Sequence, residues 1–488
     1  MADSRRNLVL FMPDQLRADA VGAFGNPVAH TPAMDALAAR GTTFTNAFSQ
    51  HSVCSPSRAS MLTGWYPHVT GKRTLTNLIK PWEPNLLRYL HDDGYHVAWV
   101  GQRGDTFAPG VTEVSCDFYG WTVRPTMLHH PIPYPPEHHL ARAFYAGRRP
   151  ADGPVLDFDE AAVITAEEIV ADLPEPWVLF VALVFPHPPF EVEDPWFSLH
   201  DRPSMPLPAA PPEGPEPRFM TEIRRRYGTE RVTPGEWQEI IATYYGMVSR
   251  VDDQLRRVTE AVDRAGSADR TVTMLFTDHG EYLGDYGLVE KFPSGVHDCL
   301  LRNPLIIAGP GVREGAVCDD LVELVDLLPT CLELAGVEPT HTHFGRSLVP
   351  ALSGSAGAAD EVGRDAAYAE GGFTPAERHL MESGVGFPYD LKIAIQHEDE
   401  AAAGKCVAMR TREWTYVHRL YDTDELYDRA ADPRETSNLV DRPDLAPVVA
   451  DLRSRLLDWL VETSDVIPWE PDPRNPRVAR PPLAVRSR

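Results

Sequence analysis

Cysteine is scarce in this chain. Six occur in 488 residues, at Cys54, Cys116, Cys299, Cys318, Cys331 and Cys406, with no CxxC pair and no regular spacing. That pattern argues against a disulfide framework and against a cysteine-built zinc site, and fits reduced thiols. Positive charge is also short: 46 Lys and Arg face 71 Asp and Glu, for a formal charge of -25. Such a balance argues against a nucleic-acid binder and against adsorption to an anionic membrane, although a locally positive site can still hold an anion. Long apolar runs are missing too, and no segment is long enough to span a bilayer. The run from Asn7 to Met12, behind Arg5 and Arg6, is too short for a secretory signal and has no small-residue cleavage site. A cytoplasmic protein with no membrane partner is the expectation.

The length allows a large core, in one big α/β domain with an appendage or in more than one domain. Short apolar runs, Leu8–Met12, His96–Val100, Trp177–Val184, Thr271–Phe276 and Pro304–Ala308, read as buried strands. Between them TPAMDALAAR (Thr31–Arg40) predicts a helix with Thr31 as N-cap and Pro32 in its first turn. Gly235–Ala265 has a period near 3.6 and predicts a long helix closed by Gly266. Alternation of this kind implies an α/β fold, a mainly parallel central sheet sandwiched by helices. Past LSGSAGAADE, a linker, CVAMRTREWTYVHRL alternates as strands do and APVVADLRSRLLDWLVE reads as a helix. The expected organisation is a catalytic domain over 1–355, a smaller C-terminal α+β domain over 365–470, and a Pro/Arg-rich tail over 471–488. Asp201–Arg218 is Pro-punctuated and is expected to be a surface loop.

In open α/β sheets, ligands bind beyond the carboxyl ends of the strands. Leu8–Met12 leads to Asp14 and Gln15, Trp177–Val184 to His187, and Thr271–Phe276 to Asp278 and His279. Taken singly, an Asp after a strand is more often a cap or turn residue. Together these residues gather carboxylates, an amide and imidazoles on one edge, a donor set suited to Ca²⁺, Mg²⁺ or Mn²⁺. The clusters His129–His130 and His138–His139 read as solvated loop.

Residues 54–58, CSPSR, match the C-x-P-S-R signature of the type I sulfatases, of the alkaline phosphatase superfamily. The resemblance extends through HTPAMDALAARGTTFTNAFSQHSVCSPSRASMLTGWYPHVTG, FPHPPF, TDHGEYLGDYGLVEK and ELYDRAADPRETSNL, and so covers most of the chain. It implies that Cys54 is oxidised to formylglycine by a separate maturation enzyme that reads Pro56 and Arg58. The hydrated aldehyde has two geminal hydroxyls: one attacks sulfur, and the other then expels sulfate by C–O cleavage. A serine could attack but could not release the group in this way.

The resemblance further implies Asp14, Gln15, Asp278, His279 and the modified Cys54 as ligands of one divalent metal, Ca²⁺ in first place with Mn²⁺ or Mg²⁺ as alternatives. Arg58 would neutralise the formylglycine hydroxyl, Lys291 bind the sulfate oxygens, His187 protonate the leaving alkoxide, and Asn77 donate to the ester oxygens. Two departures stand out. Gln15 replaces the second Asp of many sulfatases, which resembles choline sulfatases and phosphonate monoester hydrolases. Gln102 and Gly104 stand where most sulfatases carry a Lys and a His; Arg103 could restore the charge, and His129 or His130 could supply the base. The implied activity is hydrolysis of a small-molecule sulfate monoester, with a phosphonate monoester or phosphodiester as the alternative substrate. Relatives with the Asp-Gln pair often assemble through C-terminal tails, so a homo-oligomer is expected.

Overall fold

The computed structural model describes residues 5–101, 104–212, 214–354, 362–468 and 474. Strand β1 (Asn7–Asp14) is buried along its whole length and runs through the centre of the molecule. Its side chains alternate between two cores, as the two-residue period of a strand requires. Val9 and Phe11 pack with the helices Pro32–Ala39, Phe158–Ile169 and Pro234–Arg264. Leu8, Leu10 and Met12 pack with the helices Cys54–Thr63, Leu86–Asp92 and Leu327–Ala335 on the opposite face. A strand buried on both faces reads as an unbroken apolar run, which is why it was visible in the sequence.

Around β1 stand β2 (Gly41–Phe48), β3 (His96–Val100), β4 (Phe118–Gly120), β6 (Trp177–Pro186), β8 (Thr271–Leu275), β9 (Arg302–Ala308) and β10 (Ala316–Glu323), while β5 (Tyr145–Asp152) and β7 (Phe190–Asp194) form a small separate ribbon. The large sheet has the order β10-β2-β9-β8-β1-β6-β3-β4. Its pairings are parallel except where β9 lies antiparallel to β2 and β8. All the other strands therefore point one way, and their carboxyl ends open on one edge. The expected mainly parallel sheet between helices is what the chain builds.

The predicted helix over Thr31–Arg40 spans Pro32–Ala39, but Thr31 does not cap it: its hydroxyl accepts from the Gly22 amide at 2.9 Å. The helix's first free amides, Ala33 and Met34, donate instead to Asp252 at 3.0 and 2.7 Å. A neighbouring helix thus supplies the oxygen that a local cap would have given. The long helix spans Pro234–Arg264 and opens with a reciprocal Thr233–Glu236 box. The described residues of the Pro-rich stretch 201–218 are irregular apart from one short turn and Arg218, which opens a helix, yet Ala209 is buried. Its amide donates to the Asp285 carboxylate at 2.6 Å, and its carbonyl accepts from Tyr286 at 2.8 Å.

The C-terminal part is an antiparallel sheet of β11 (Ala367–Gly371), β12 (Cys406–Arg410), β13 (Trp414–Arg419) and β14 (Glu425–Asp428), covered by the helix Ala446–Glu462. Leu452, Leu456 and Trp459 of that helix pack on Met409, Tyr416 and Leu426. Trp459 stacks on Tyr368 with ring centroids 4.3 Å apart and meets the edge of Tyr66 at 4.8 Å, joining the small sheet to the large unit. Most of the linker and, apart from Arg474, the tail 471–488 lie outside the described residues. No helix among the described residues is long and apolar enough to cross a membrane.

Candidate active site

Five parallel strands deliver side chains to one point. Asp14 ends β1, Cys54 follows β2, Asp105 follows β3, His187 follows β6, and Asp278 and His279 follow β8. Cys54 is the first residue of the helix Cys54–Thr63, where the helix dipole favours negative charge. Pro56 is tolerated because it falls in the first turn, where amides have no intrahelical acceptor. The helix is buried throughout and stops at Gly64, whose φ of 68° and closeness to His343 leave no room for a side chain. Ser57 fastens its start, donating its hydroxyl to the Asp278 carbonyl at 2.6 Å.

Asp14, Cys54, Asp278 and His279 each turn one ligand atom inward, and these four atoms lie within 4.8 Å of one another. All four side chains are buried. The Cys54 thiol donates to His279 Nε2 at 3.2 Å and lies 3.9 Å from Asp14 Oδ1. His279 Nδ1 is 2.9 Å from the Gly280 carbonyl, which can only accept, so the proton sits on Nδ1 and Nε2 offers its lone pair to the cluster. Burial lowers the His279 imidazole to about 4, against the pull of Asp278, and this keeps it neutral. Burial, with Asp14 adding to it, pushes the Cys54 thiol well above its ordinary range. A thiol held protonated is a poor nucleophile.

Arg58 joins the carboxylates. Its Nη2 is 2.7 Å from Asp14 Oδ2, its Nε 2.8 Å from Asp278 Oδ2, and its Nη1 2.9 Å from Asp105 Oδ1. One guanidinium shared among three carboxylates leaves an excess of negative charge beside the cluster. Two carboxylate oxygens and one imidazole lone pair converging in that field form a donor set for a hard divalent cation. The residues fit such an ion.

Gln15, implied by the resemblance as a further ligand, has hydrogen-bond partners of its own. Its backbone is left-handed, with φ 67°, and its amide donates to Asp278 Oδ1 at 3.2 Å. Its side-chain oxygen accepts from Lys291 Nζ at 2.7 Å, and its side-chain nitrogen donates to Glu281. Burial and the neighbouring Glu290 raise the Glu281 carboxyl to about 7. Lys291 also contacts Glu290 Oε1 at 2.5 Å and His187 Nε2 at 3.0 Å. Burial disfavours the Lys291 ammonium, but its neighbours, Glu290 and Asp14 among them, more than offset this, so it stays charged. His187 gives its Nδ1 proton to the Pro188 carbonyl at 2.7 Å, and its Nε2 accepts from Lys291.

A cavity of about 450 Å³ opens over Cys54, and Gly104, Asp105, His187, Glu290, Lys291 and Lys392 are among the residues lining it. Asn77 does not line it. Its side-chain oxygen accepts from the Arg73 and Thr74 amides at 2.9 and 3.1 Å and holds a turn, while Leu75 and Thr76 face the cavity. His129 and His130 are also elsewhere, tied to Glu191. Gln102 and Arg103 lie outside the described residues. Asp105, Glu290 and Lys392 escaped the sequence reading. Asp105 carried a signal, since it follows a strand as Asp14 and Asp278 do; Lys392 comes from the C-terminal part and carried none.

A fold with this strand order and an Asp/Asp/His cluster at the strand ends defines a hydrolase of the alkaline phosphatase superfamily. The Sulfatase family model matches residues 6–337, and the chain belongs to that family of sulfuric ester hydrolases. The chain is 28% identical to the multifunctional alkaline phosphatase superfamily protein PehA of Trinickia caryophylli, over 95% of this chain and 96% of that protein. It is 26% identical to the choline-sulfatase of Rhizobium meliloti (strain 1021), over 95% and 89% of the two chains. In fold it is similar to the phosphonate monoester hydrolase of Agrobacterium radiobacter, with a TM-score of 0.75, 24% identity, and 94% and 96% of the two chains covered.

Proposed function

We propose that the protein hydrolyses a sulfate monoester, with Cys54 carried as formylglycine in the mature enzyme and one divalent cation, Ca²⁺ before Mn²⁺ or Mg²⁺, held by Asp14, Asp278, His279 and residue 54. The observation that carries this reading is the convergence of those four ligand atoms, with residue 54 itself lining a cavity whose wall presents Lys291 and His187. Bound there, the cation and the aldehyde hydrate together would supply a hydroxyl of lowered pKa as nucleophile.

The chain's own residues do the rest. Arg58 fixes the two metal-side carboxylates so that their remaining oxygens stay turned toward residue 54. Lys291 balances the charge of the sulfate oxygens, and Gln15 and Glu290 orient its ammonium. His187, pinned through Nδ1 by the Pro188 carbonyl, presents Nε2 to the departing group: once the sulfate oxygens engage the Lys291 ammonium, Nε2 takes up a proton from solvent and passes it to the alkoxide as the S–O bond breaks. The net change is ester plus water to alcohol plus sulfate and a proton. Both lysines of the cavity wall, Lys291 and Lys392, are paired with Glu290, so the positive field is modest. That favours a singly charged ester over a phosphate monoester, which carries nearly two charges.

A phosphonate monoester is also singly charged, and Gln15, in place of a second acidic residue, keeps it as the second reading. One aryl alcohol presented as its sulfate and as its phosphonate monoester separates the two. The expected result is a kcat/KM at least a hundredfold higher for the sulfate; a preference for the phosphonate would replace this reading with the second.

A further inference from the structure

The cavity changes character away from Cys54. Leu75, Leu128, Phe158, Val184, Val385 and Ile393 line it, and Leu75, Leu128 and Val385 remain 37–54% exposed at its rim. Apolar side chains left open to solvent around a concave site mark a surface that ligand covers. A sugar would place several hydroxyls against this wall without partners, which is costly.

One acid interrupts the apolar lining. Glu382 is 9% exposed in its side chain, and its Oε2 accepts from Gln396 Nε2 at 3.0 Å, with Lys392 Nζ 3.7 Å away. Its backbone is fixed as well: the amide donates to Gln396 Oε1 at 3.2 Å, and the carbonyl accepts from His397 Nε2 at 2.8 Å. Its Oε1 is buried and has no hydrogen-bond partner among the described residues. The other acids of the lining differ. Glu290 is engaged through both oxygens by Lys291 and Lys392, and Asp105 by Arg58. Buried polar atoms are almost always paired, so a fixed carboxylate that lines a ligand cavity and keeps one oxygen unpaired calls for a donor from the ligand.

We propose that Glu382 is a specificity residue that accepts a hydrogen bond from a hydroxyl or amine on an otherwise apolar, aromatic or alicyclic alcohol. This rests on the sulfatase reading of the site and narrows its substrate class. A site built to pair with a donor rejects the analogue that lacks it far more strongly than an apolar pocket rejects a missing methylene.

The test compares phenyl sulfates carrying ethyl, hydroxymethyl or aminomethyl groups at the meta or para position, using enzyme with Cys54 converted. The expected result is a kcat/KM at least tenfold higher for a donor-bearing ester than for its ethyl counterpart. In Glu382→Gln that ratio falls at least fivefold. A wild-type ratio under tenfold, or a ratio that survives the substitution, overturns the proposal. Calorimetric binding of the corresponding free phenols to unconverted protein gives a readout that needs no turnover: Glu382→Gln should weaken the aminomethyl phenol and leave the ethyl phenol unchanged. Equal weakening of both counts against Glu382 as a reader of the donor. Absence of turnover with every ester would sink the sulfatase reading, whereas turnover without discrimination would sink the role of Glu382 alone.

Discussion

Lys291 Nζ and His187 Nε2 lie 3.0 Å apart, with the ammonium donating to the imidazole. The pair joins the group that would hold the sulfate oxygens to the group that would protonate the alcohol. Because the Pro188 carbonyl takes the Nδ1 proton, only Nε2 can serve the substrate. His187→Ala should therefore slow esters of poorly acidic alcohols by about 10²–10⁴-fold, the usual range for a general acid. A nitrophenyl sulfate, whose leaving group needs no proton, should lose far less. The slope of log kcat/KM against leaving-group pKa is the measurement; an unchanged slope removes His187 from the acid role.

The metal cluster makes a second prediction. Chelation should abolish turnover, and Ca²⁺ or Mn²⁺ added back should restore it and raise the thermal midpoint, since a ligand bound only by the folded state stabilises it. Asp278→Asn should weaken metal affinity: Asn retains one oxygen for the backbone amides of Gln15 and His279 that Asp278 Oδ1 accepts now, but loses the ligand charge and the pairing of Oδ2 with Arg58. Calorimetric titration with each ion would report the change. Metal affinity equal to wild type in Asp278→Asn would contradict the assignment.

The C-x-P-S-R stretch was legible through its resemblance to a known signature, and the polar residues after β1, β6 and β8 because they follow apolar runs, the mark that a strand buried on both faces leaves. No such mark exists in GTTFTNAF, a threonine-rich strand, or in AVCDDLVE, an edge strand with two adjacent aspartates and partly exposed side chains. Asn77 has a structural task that its position did not announce: its side-chain oxygen holds the turn at Arg73 and Thr74. Lys392 reaches the cavity from the C-terminal part, more than 300 residues after Cys54, and local sequence carries no trace of that approach.

Stability should fall in mild acid for a reason outside the active site. His297 is buried against Tyr282, and burial, reinforced by Arg419 and Arg410 and opposed by Glu425, lowers its imidazole to about 4. The unfolded chain takes up this proton near pH 6.5 and the folded chain does not, so stability is full above 6.5 and declines as pH falls toward 4. A shift of this size corresponds to about 3 kcal/mol in total. Urea midpoints measured from pH 7.5 to 4.5 should show a shallower decline in His297→Gln than in wild type; parallel curves would remove His297 as a source of the acid sensitivity.

Gly280 supports the cluster from behind. A Cβ at this position would collide with the Cys299 carbonyl oxygen, a backbone atom that cannot rotate away. Gly280→Ala should cost about 1–3 kcal/mol, as overpacking does, and should reduce activity further by moving the carbonyl that sets the His279 tautomer. Denaturant titration beside kcat/KM separates the two effects. A variant as stable as wild type would show that the backbone yields there.

Cys54 should be active only as the aldehyde. Protein prepared with graded exposure to a formylglycine-generating enzyme allows the mass of the peptide carrying residue 54 to be set against kcat for an aryl sulfate. Turnover should be proportional to the aldehyde fraction, extrapolating to none for the intact thiol. Full turnover from protein whose residue 54 is entirely thiol would contradict it.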